Sequence, residues 1–321
     1  MSPSTSDDKL IAEWTQEQHS QAKSAIFDDE NLPFSVTHVP SNSRNTSESI
    51  STTVYSEDTA SLGIPGLETV AGFDISFRSD SDGEEGIAVL AVLSFPDMKL
   101  IRAITRKISL KDTPYIHSYL SFRESDHYVS LLSEIGPEER MPQVLFVDGN
   151  GRWHSRQGGS AVAVGVKTGL PTVGVAKEYH PIHSSIPDIP LDDGPKPLPY
   201  PLDYLTSQKA MRKACQLLLE KRGDWIGLPG LREVAEGVDN EHWGAAVITS
   251  PARNASNPIF VSSGHRLSLE TSIRLALACS TNGKVPEPVR QADLIGKSNL
   301  MFYSAAKLDP SSANVGAYQA N

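Results

Sequence analysis

The chain has 321 residues, of which 39% are hydrophobic and 21% are charged, and its 29 basic and 39 acidic side chains give a net charge of −10. This length and composition fit one large α/β domain or two small ones, with a sizeable core and some polar insertions. The acidic balance counts against nonspecific binding of long nucleic-acid duplexes, but it leaves open a nuclease that makes short, local phosphate contacts.

The sequence shows no signal for insertion into a membrane. No apolar run approaches the roughly 18 residues of a transmembrane helix, and the first residues lack the basic and apolar regions of a signal peptide. Only Cys215 and Cys279 occur, and their spacing suits neither a disulfide framework nor a zinc site. We therefore expect no membrane segment and a reducing compartment, namely the cytoplasm, the nucleus or both.

The first part of the chain predicts one helix and a three-stranded meander. Apolar residues recur at helical spacing over 9–27, whereas 38–66 is rich in Ser, Thr, Asn and Pro and is interpreted as a flexible insertion. Three strands are predicted next, at 69–77, 86–95 and 99–110. Their short connections predict that they pair as antiparallel neighbours.

Helices and strands alternate in the middle of the chain. The patterns predict a helix at 123–135, a strand at 143–148, a helix at 158–169 and a strand at 171–176. The order β-β-β-α-β-α-β is typical of the ribonuclease H-like fold. We therefore expect an α/β fold with a mixed central sheet flanked by helices, in which a three-strand antiparallel meander is followed by helix-connected strands.

The last part of the chain begins with a Pro-rich polar loop. This loop covers 180–203 and is interpreted as a second insertion. The elements predicted after it are a helix at 206–222, strands near 243–249 and 258–262, and a helix at 268–279. We expect a single domain over 1–300, interrupted at about 38–66 and 180–203, with a flexible tail over 301–321.

Three carboxylates occupy positions that suit a metal-dependent nuclease. Asp74 lies within the first strand of the meander, Asp148 ends the strand at 143–148, and Glu124 opens the helix before it. A buried, unpaired carboxylate is costly, and a divalent cation is a simple way to offset that cost. In this topology Asp74 and Asp148 would lie on neighbouring strands and bracket one or two Mg²⁺ ions, as in phosphodiester hydrolysis. Taken singly, each residue is equally compatible with a turn, a bulge or a helix first turn.

Other residues have both a functional and a structural interpretation. His265 precedes a helix and could bind phosphate or position a water, and Lys177 ends an apolar strand and could contact the scissile phosphate. Tyr115 could act as a wedge that holds a base stack open, or be a half-buried loop aromatic. Gly149 and Gly151 would let a base approach the backbone, although a tight turn requires glycine as well.

Six segments in the same order resemble the endonuclease V family, which acts beside inosine. The resemblance spans most of 9–296, outside the two insertions. The matching segments are Val-Ala-Gly-Phe-Asp74-Ile-Ser, Pro-Tyr115-Ile with Leu-Ser-Phe-Arg-Glu124, Phe-Val-Asp148-Gly-Asn-Gly-Arg-Trp-His154-Ser-Arg, Leu-Pro-Thr-Val-Gly-Val-Ala-Lys177, Ser-Gly-His265-Arg-Leu-Ser-Leu-Glu, and Pro-Glu-Pro-Val-Arg-Gln-Ala-Asp293.

The resemblance implies a ribonuclease H-like fold and Mg²⁺-dependent cleavage, with Mn²⁺ as a substitute. It implies cutting at the second phosphodiester bond 3′ to inosine in RNA or deoxyinosine in DNA, with 3′-hydroxyl and 5′-phosphate products. The expected partner is single-stranded RNA or DNA that contains inosine, with no membrane and no obligate protein partner. The implied roles are metal ligands (Asp74, Asp148, Glu124), further catalytic residues (His265, Lys177), the wedge (Tyr115) and the base pocket (Leu120, Gly149, Gly151, His154).

The chain departs from the family pattern at two places. His117 and Ser118 stand where the wedge motif usually has Pro-Gly, and Ala163 stands where the family often has histidine. These departures leave open a protein that binds inosine-containing nucleic acid but cuts it weakly. A separate alternative is a nuclease of the same fold with a different target, such as a structured junction. The sequence does not decide between DNA and RNA, although family analogy favours RNA.

Overall fold

A computed structural model describes residues 6–36, 42–45, 52–60, 62–78, 84–182, 205–230, 233–234, 237–238, 241–252 and 257–308. The helices within these ranges are α1 (Ser6–Ser24), α2 (Ser121–Leu132), α3 (Ser160–Thr168), α4 (Gln208–Leu218), α5 (Leu269–Cys279) and α6 (Glu287–Leu308). The strands are β1 (Asn42–Asn45), β2 (Thr53–Ser56), β3 (Thr69–Phe77), β4 (Glu85–Ser94), β5 (Leu100–Ser109), β6 (Val144–Asp148), β7 (Thr172–Ala176), β8 (Asp224–Pro229), β9 (Glu233–Val234), β10 (Gly237–Val238), β11 (His242–Val247) and β12 (Ile259–His265).

Ten strands form one mixed sheet in the order β1-β2-β8-β11-β12-β7-β6-β3-β4-β5. The predicted meander is confirmed, because β3 pairs with β4 and β4 with β5 in antiparallel register. β6 pairs in parallel with both β3 and β7. The remaining pairs of the sheet are antiparallel. The α/β, ribonuclease H-like architecture with a mixed central sheet is therefore confirmed.

Successive side chains of the central strands point to opposite faces of the sheet, so that an apolar core forms on each face. On one face Val70, Phe146 and Val175 pack with α5 and α6. On the other face Phe73 and Val147 pack with α2 and α3. A third apolar cluster joins α4 to β8 and β11. By the same alternation, the positions of residues 74 and 148 belong to the face that α6 covers.

α6 crosses β3 so closely that only glycine fits beneath it. A Cβ atom on Gly72 would lie 2.1 Å from the carbonyl carbon of Pro288, far inside van der Waals contact. Val289 and Ala292, further along α6, are fully buried in the core on this face. The missing side chain at Gly72 therefore sets the distance from α6 to the middle of β3.

The structure contains elements that the sequence interpretation missed. α6 was not predicted, and it extends the described chain past 300 to Leu308. β8 was also missed, and β1 and β2 lie inside the segment at 38–66 that was interpreted as a flexible insertion. β2 joins the main sheet by pairing with β8. The connection between β3 and β4 at 79–83, most of the Pro-rich loop at 180–203 and the tail beyond 308 lie outside the described residues.

A helix that crosses a lipid bilayer must be long and apolar. No helix within the described ranges has both properties.

Candidate active site

Two aspartates meet on neighbouring parallel strands. β3 and β6 pair with Phe73 opposite Val147, so the next residues along, Asp74 and Asp148, are neighbours. Asp74 is only 5% exposed. Its carboxyl group shares a hydrogen bond with Asp148 and accepts one from the Ser76 hydroxyl, at 3.2 Å to Oδ2. The local structure thus pairs two acids where little solvent reaches them.

Burial and repulsion make the charged form of this pair costly. Burial, the hydrogen bond with Asp148 and the Asp148 charge raise the pKa of Asp74 to about 8. The pKa of Glu124 is also well above its usual range, because that side chain is buried and faces the charges of Asp148 and Asp74. A positive charge among these groups would therefore be strongly stabilised.

Glu124 reaches the aspartates from α2, on the other face of the sheet. It lies in the first turn of this helix and is 5% exposed. The Ser160 hydroxyl, at the start of α3, donates to Glu124 Oε2 at 3.4 Å. Tyr128, one turn further along α2, stacks on Phe73 with 4.8 Å between ring centroids. These contacts fix the height of α2 over β3 and so the position of Glu124.

Lys177 and Asp293 complete the charged cluster. Lys177 Nζ donates to Asp148 Oδ2 at 2.6 Å and lies 3.8 Å from Asp293 Oδ1. Burial opposes protonation of Lys177, but the charge of Asp148 and this hydrogen bond outweigh it and raise the pKa. Asp293 comes from α6, and its other oxygen pairs with Lys297 at 2.7 Å. A fourth carboxylate therefore stands beside the three that the sequence indicated.

The donor set fits a small divalent cation by its chemistry. Carboxylate oxygens are the ligands that Mg²⁺ and Mn²⁺ prefer. When ionised, Asp74, Glu124, Asp148 and Asp293 carry more charge than Lys177 and Lys297 offset. Within the described ranges, no three Asp, Glu, His or Cys side chains are drawn together as tightly as a bound ion would hold them. The fit therefore rests on ligand type and on unbalanced charge.

An open cavity of about 480 Å³ gives access to these carboxylates. Asp74, Glu124, Asp148 and Lys177 all line it. Its other lining residues include those expected to contact the base or the stack, together with the two positions that depart from the family pattern: Tyr115, Leu120, Gly149, His154, His117 and Ser118. Tyr115 is 66% exposed, and the Arg123 guanidinium lies 5.7 Å from the centre of its ring. The cavity thus has a charged floor and an aromatic rim.

His154 is held neutral inside the wall of the cavity. Its Nε2 lies 2.9 Å from the Ser118 carbonyl, which can only accept, so Nε2 carries the proton. Its Nδ1 accepts from the Arg156 backbone N–H at 3.2 Å. Burial, followed by the Arg156 charge, lowers the pKa of His154 to about 4. At neutral pH this side chain fixes the wall and carries no charge.

Comparison with known proteins identifies the family. The family model described as Endonuclease V matches residues 48–294. The chain belongs to the endonuclease V family. The human protein named Endonuclease V is 35% identical over 237 residues, which cover 73% of this chain and 72% of the human protein. The chain is therefore an endonuclease, that is, a phosphodiester hydrolase.

Solved structures of the endonuclease V family share the fold. The catalytic domain of human Endonuclease V matches with a TM-score of 0.68 and 30% identity, covering 93% of this chain and 98% of that one. Endonuclease V from Ciona intestinalis matches with a TM-score of 0.66 and 27% identity, covering 92% and 100%. The Ciona protein was solved in complex with a 24mer DNA containing an inosine followed by a ribo-adenosine.

The structure does not bring every expected endonuclease V residue into the cavity. His265 pairs with Thr172 at the start of β7, whereas Asp148 pairs with Val175 near its end, a separation of roughly 10 Å along the strands. His265 Nδ1 instead accepts from the Ile26 backbone N–H at 3.2 Å. Because β12 runs antiparallel to β7, its end reaches the edge of the sheet opposite the carboxylates. The structure therefore places His265 outside the cavity, and its catalytic role stays a prediction.

Two other positions also lie behind the cavity wall. A Cβ atom on Gly151 would approach the Ser263 carbonyl oxygen to 2.2 Å, so this glycine allows the loop after β6 to pack on β12. Gly151 does not line the cavity, unlike Gly149. Ala163 is 1% exposed within α3 and is likewise outside the lining.

Sequence reasoning missed two residues that face the cavity or its acids. Asp293 was quoted only as part of a matching segment, because α6 was not predicted. The sequence pattern that could have predicted α6 is the helical spacing of Val289, Ala292 and Ile295. Pro288 does not argue against this helix, because proline is tolerated in the first turn. Gln18 on α1 lines the cavity, but nothing in the local sequence separates it from other polar positions of the helix.

Proposed function

We propose that this chain is a magnesium-dependent endonuclease that cuts the second phosphodiester bond 3′ to inosine in RNA or to deoxyinosine in DNA, leaving 3′-hydroxyl and 5′-phosphate ends. The observation that carries the proposal is the convergence of Asp74, Asp148 and Glu124 on one open cavity in a member of this family. The inosine-containing DNA bound to the Ciona relative supports the choice of substrate. We expect Mn²⁺ to replace Mg²⁺.

The carboxylates would hold the cation, and Lys177 would hold the phosphate. Asp74, Asp148 and Glu124 are the proposed ligands, with Asp293 beside them. When bound, the cation supplies positive charge to the scissile phosphate and lowers the pKa of a nucleophilic water. The Lys177 ammonium is kept protonated by Asp148 and lines the cavity, so it would pair with a phosphate oxygen of the substrate.

The rim of the cavity would hold the base. Tyr115 is exposed enough to stack on or between bases, with Arg123 beside its ring. Leu120 and Gly149 supply an apolar wall and a stretch of bare backbone. Hypoxanthine lacks the 2-amino group of guanine, so a wall that leaves no room or no partner for that group rejects guanine.

A cleavage panel tests the proposal. The substrates are single-stranded RNA, single-stranded DNA and duplex DNA, each with one hypoxanthine, and matched strands with guanine at the same position. We expect cutting of the hypoxanthine strands with Mg²⁺ or Mn²⁺, and none with EDTA. Product mapping should give 3′-hydroxyl and 5′-phosphate ends at the second bond.

Three outcomes would contradict the proposal in different ways. Tight binding of inosine strands without product, even with Mn²⁺, would favour a binding protein. Equal cutting of hypoxanthine and guanine strands, with preference for an unmodified junction, would favour a structure-specific nuclease. Undiminished cutting by Asp74→Asn and Asp148→Asn variants would remove these residues from the catalytic centre.

A further inference from the structure

The side-chain amide of Gln18 joins two loops that line the cavity. Gln18 lies on α1, is 1% exposed, and precedes the span matched by the family model. Its Nε2 donates to the carbonyls of Ser118 and Gly158, each at 3.1 Å, and its Oε1 accepts from Arg156 Nε at 2.6 Å. Because carbonyls only accept and a guanidinium only donates, these partners allow one orientation of the amide.

The Ser118 carbonyl is where these contacts converge. It accepts from Gln18, from His154 Nε2 at 2.9 Å and from Arg156 Nη2 at 3.0 Å. Ser118 has φ +67°, in the left-handed region that favours glycine. A serine stays in such a conformation only where its surroundings over-determine it. We assign that constraint to the three donors on its carbonyl.

α1 is itself fixed against the same part of the chain. The Trp14 ring stacks on Phe122 with 4.6 Å between centroids, and Thr15 Oγ1 lies 2.6 Å from the Tyr119 hydroxyl. Trp14, Thr15 and Gln18 are neighbours on one face of α1. On the other loop, a Cβ atom on Gly158 would lie 3.0 Å from Gln18 Cβ. The amide is therefore carried by a helix that cannot shift without moving both loops.

We propose that Gln18 is a positioning residue for base recognition. It sets the separation between the loop at 115–118, which presents Tyr115, and the loop at 154–158, which presents His154. The inference rests on the proposed function. Without the amide, the two loops separate and the cavity admits the larger guanine base. Asp74 and Asp148 keep their places, because the pairing of β3 with β6 holds them.

Isosteric substitutions test this role. Gln18→Met keeps the side-chain volume but removes all three hydrogen bonds, and Gln18→Glu replaces the two donors with an acceptor. Gln21→Met is the matched control, because Gln21 is also buried on α1 and its amide donates to Glu17 on the same helix. kcat and KM are measured on the hypoxanthine and guanine strands. We expect both Gln18 variants to lose about fivefold or more of the preference for hypoxanthine, mainly through a higher KM. kcat should stay within about threefold, and Gln21→Met should keep the preference.

Hydrogen exchange supplies a readout that does not depend on activity. Peptides covering 115–120 and 154–159 should exchange faster in Gln18→Met than in the wild type or in Gln21→Met. In a Ser118→Gly background the effect of Gln18→Met should shrink, since glycine takes φ +67° without strain. Unchanged preference and unchanged exchange in Gln18→Met would overturn the inference.

The two readouts also separate this inference from the proposed function. If the wild type itself shows no preference for hypoxanthine, the proposed function fails, and with it the role of Gln18 in base recognition. If the wild type shows the preference but Gln18→Met keeps it in full, the function stands and the inference alone fails.

Discussion

The Asp74→Asn substitution should stabilise the metal-free protein while removing its activity. Asn has the shape of Asp but cannot ionise, so the repulsion that raises the pKa of Asp74 disappears. The rise from 3.8 to about 8 corresponds to roughly 5–6 kcal/mol when the carboxyl is fully ionised, at about 1.4 kcal/mol per pH unit. Local relaxation and the hydrogen bonds that the amide must find reduce this, so we expect a gain of about 2–3 kcal/mol at pH 8.

The sign of the pH dependence follows from the direction of the shift. The folded pKa of Asp74 is raised above its unfolded value, so the folded protein holds the proton more tightly. Asp74 therefore contributes a loss of stability as pH rises from about 4 to about 8, because folding then costs the ionised carboxyl its favourable solvation. The variant does not titrate at this position, so its advantage should grow across the same range.

Denaturant unfolding in EDTA at several pH values between 5.5 and 8 measures this advantage. Asp112→Asn is the control, because Asp112 is exposed and its substitution removes a charge of the same sign. Only the Asp74→Asn curve should diverge from the wild type with rising pH. Equal stability of the wild type and Asp74→Asn throughout, or the same slope in Asp112→Asn, would refute the electrostatic account of the site.

Substitutions at other residues separate the roles of the charged groups, of the aromatic side chain at the mouth of the cavity and of the buried histidines. Glu124→Gln should lower turnover by about 100-fold or more with an unchanged circular dichroism spectrum, and an active variant would exclude Glu124. Tyr115→Ala should leave the melting temperature unchanged, because the ring is 66% exposed, but raise KM about fivefold or more through lost stacking; an unchanged KM would argue against a wedge. His265→Ala should keep kcat/KM within about threefold, whereas Lys177→Ala should lower kcat/KM about 100-fold. A larger loss in His265→Ala than in Lys177→Ala would instead support a catalytic role for His265. The pKa of His154 is lowered to about 4 in the folded state, so in acid unfolding His154 should itself contribute a loss of about 3 kcal/mol from pH 6.5 to 4, opposite in sign to the contribution of Asp74. His154→Asn should lack that loss in the same titration.

The sequence predicted correctly those elements whose pattern lies in a short, continuous segment. β3 was predicted at 69–77 and observed at Thr69–Phe77, because an apolar run closed by turn residues marks a buried strand. The adjacency of β3 and β6 followed from the meander and the crossover that comes after it. Those two elements were enough to expect Asp74 and Asp148 together.

The sequence did not predict the positions of residues that depend on pairing between distant segments of the chain. β12 ends in His265 whichever way it runs, and only its antiparallel pairing with β7 sends that end to the opposite edge of the sheet. α6 was missed since prolines and polar residues open it, and Asp293 was missed with it. Gly151 resembled a substrate contact in sequence, yet its need for glycine arises from Ser263, which is distant in the chain.

The most direct test of the catalytic centre is a crystal soaked in Mn²⁺ and measured at a wavelength where manganese scatters anomalously. The account predicts a peak shared by the carboxylates of Asp74 and Asp148, with Glu124 turned towards it. A map with no peak between the two aspartates, in crystals of protein that cuts inosine strands in the same Mn²⁺ buffer, would contradict it.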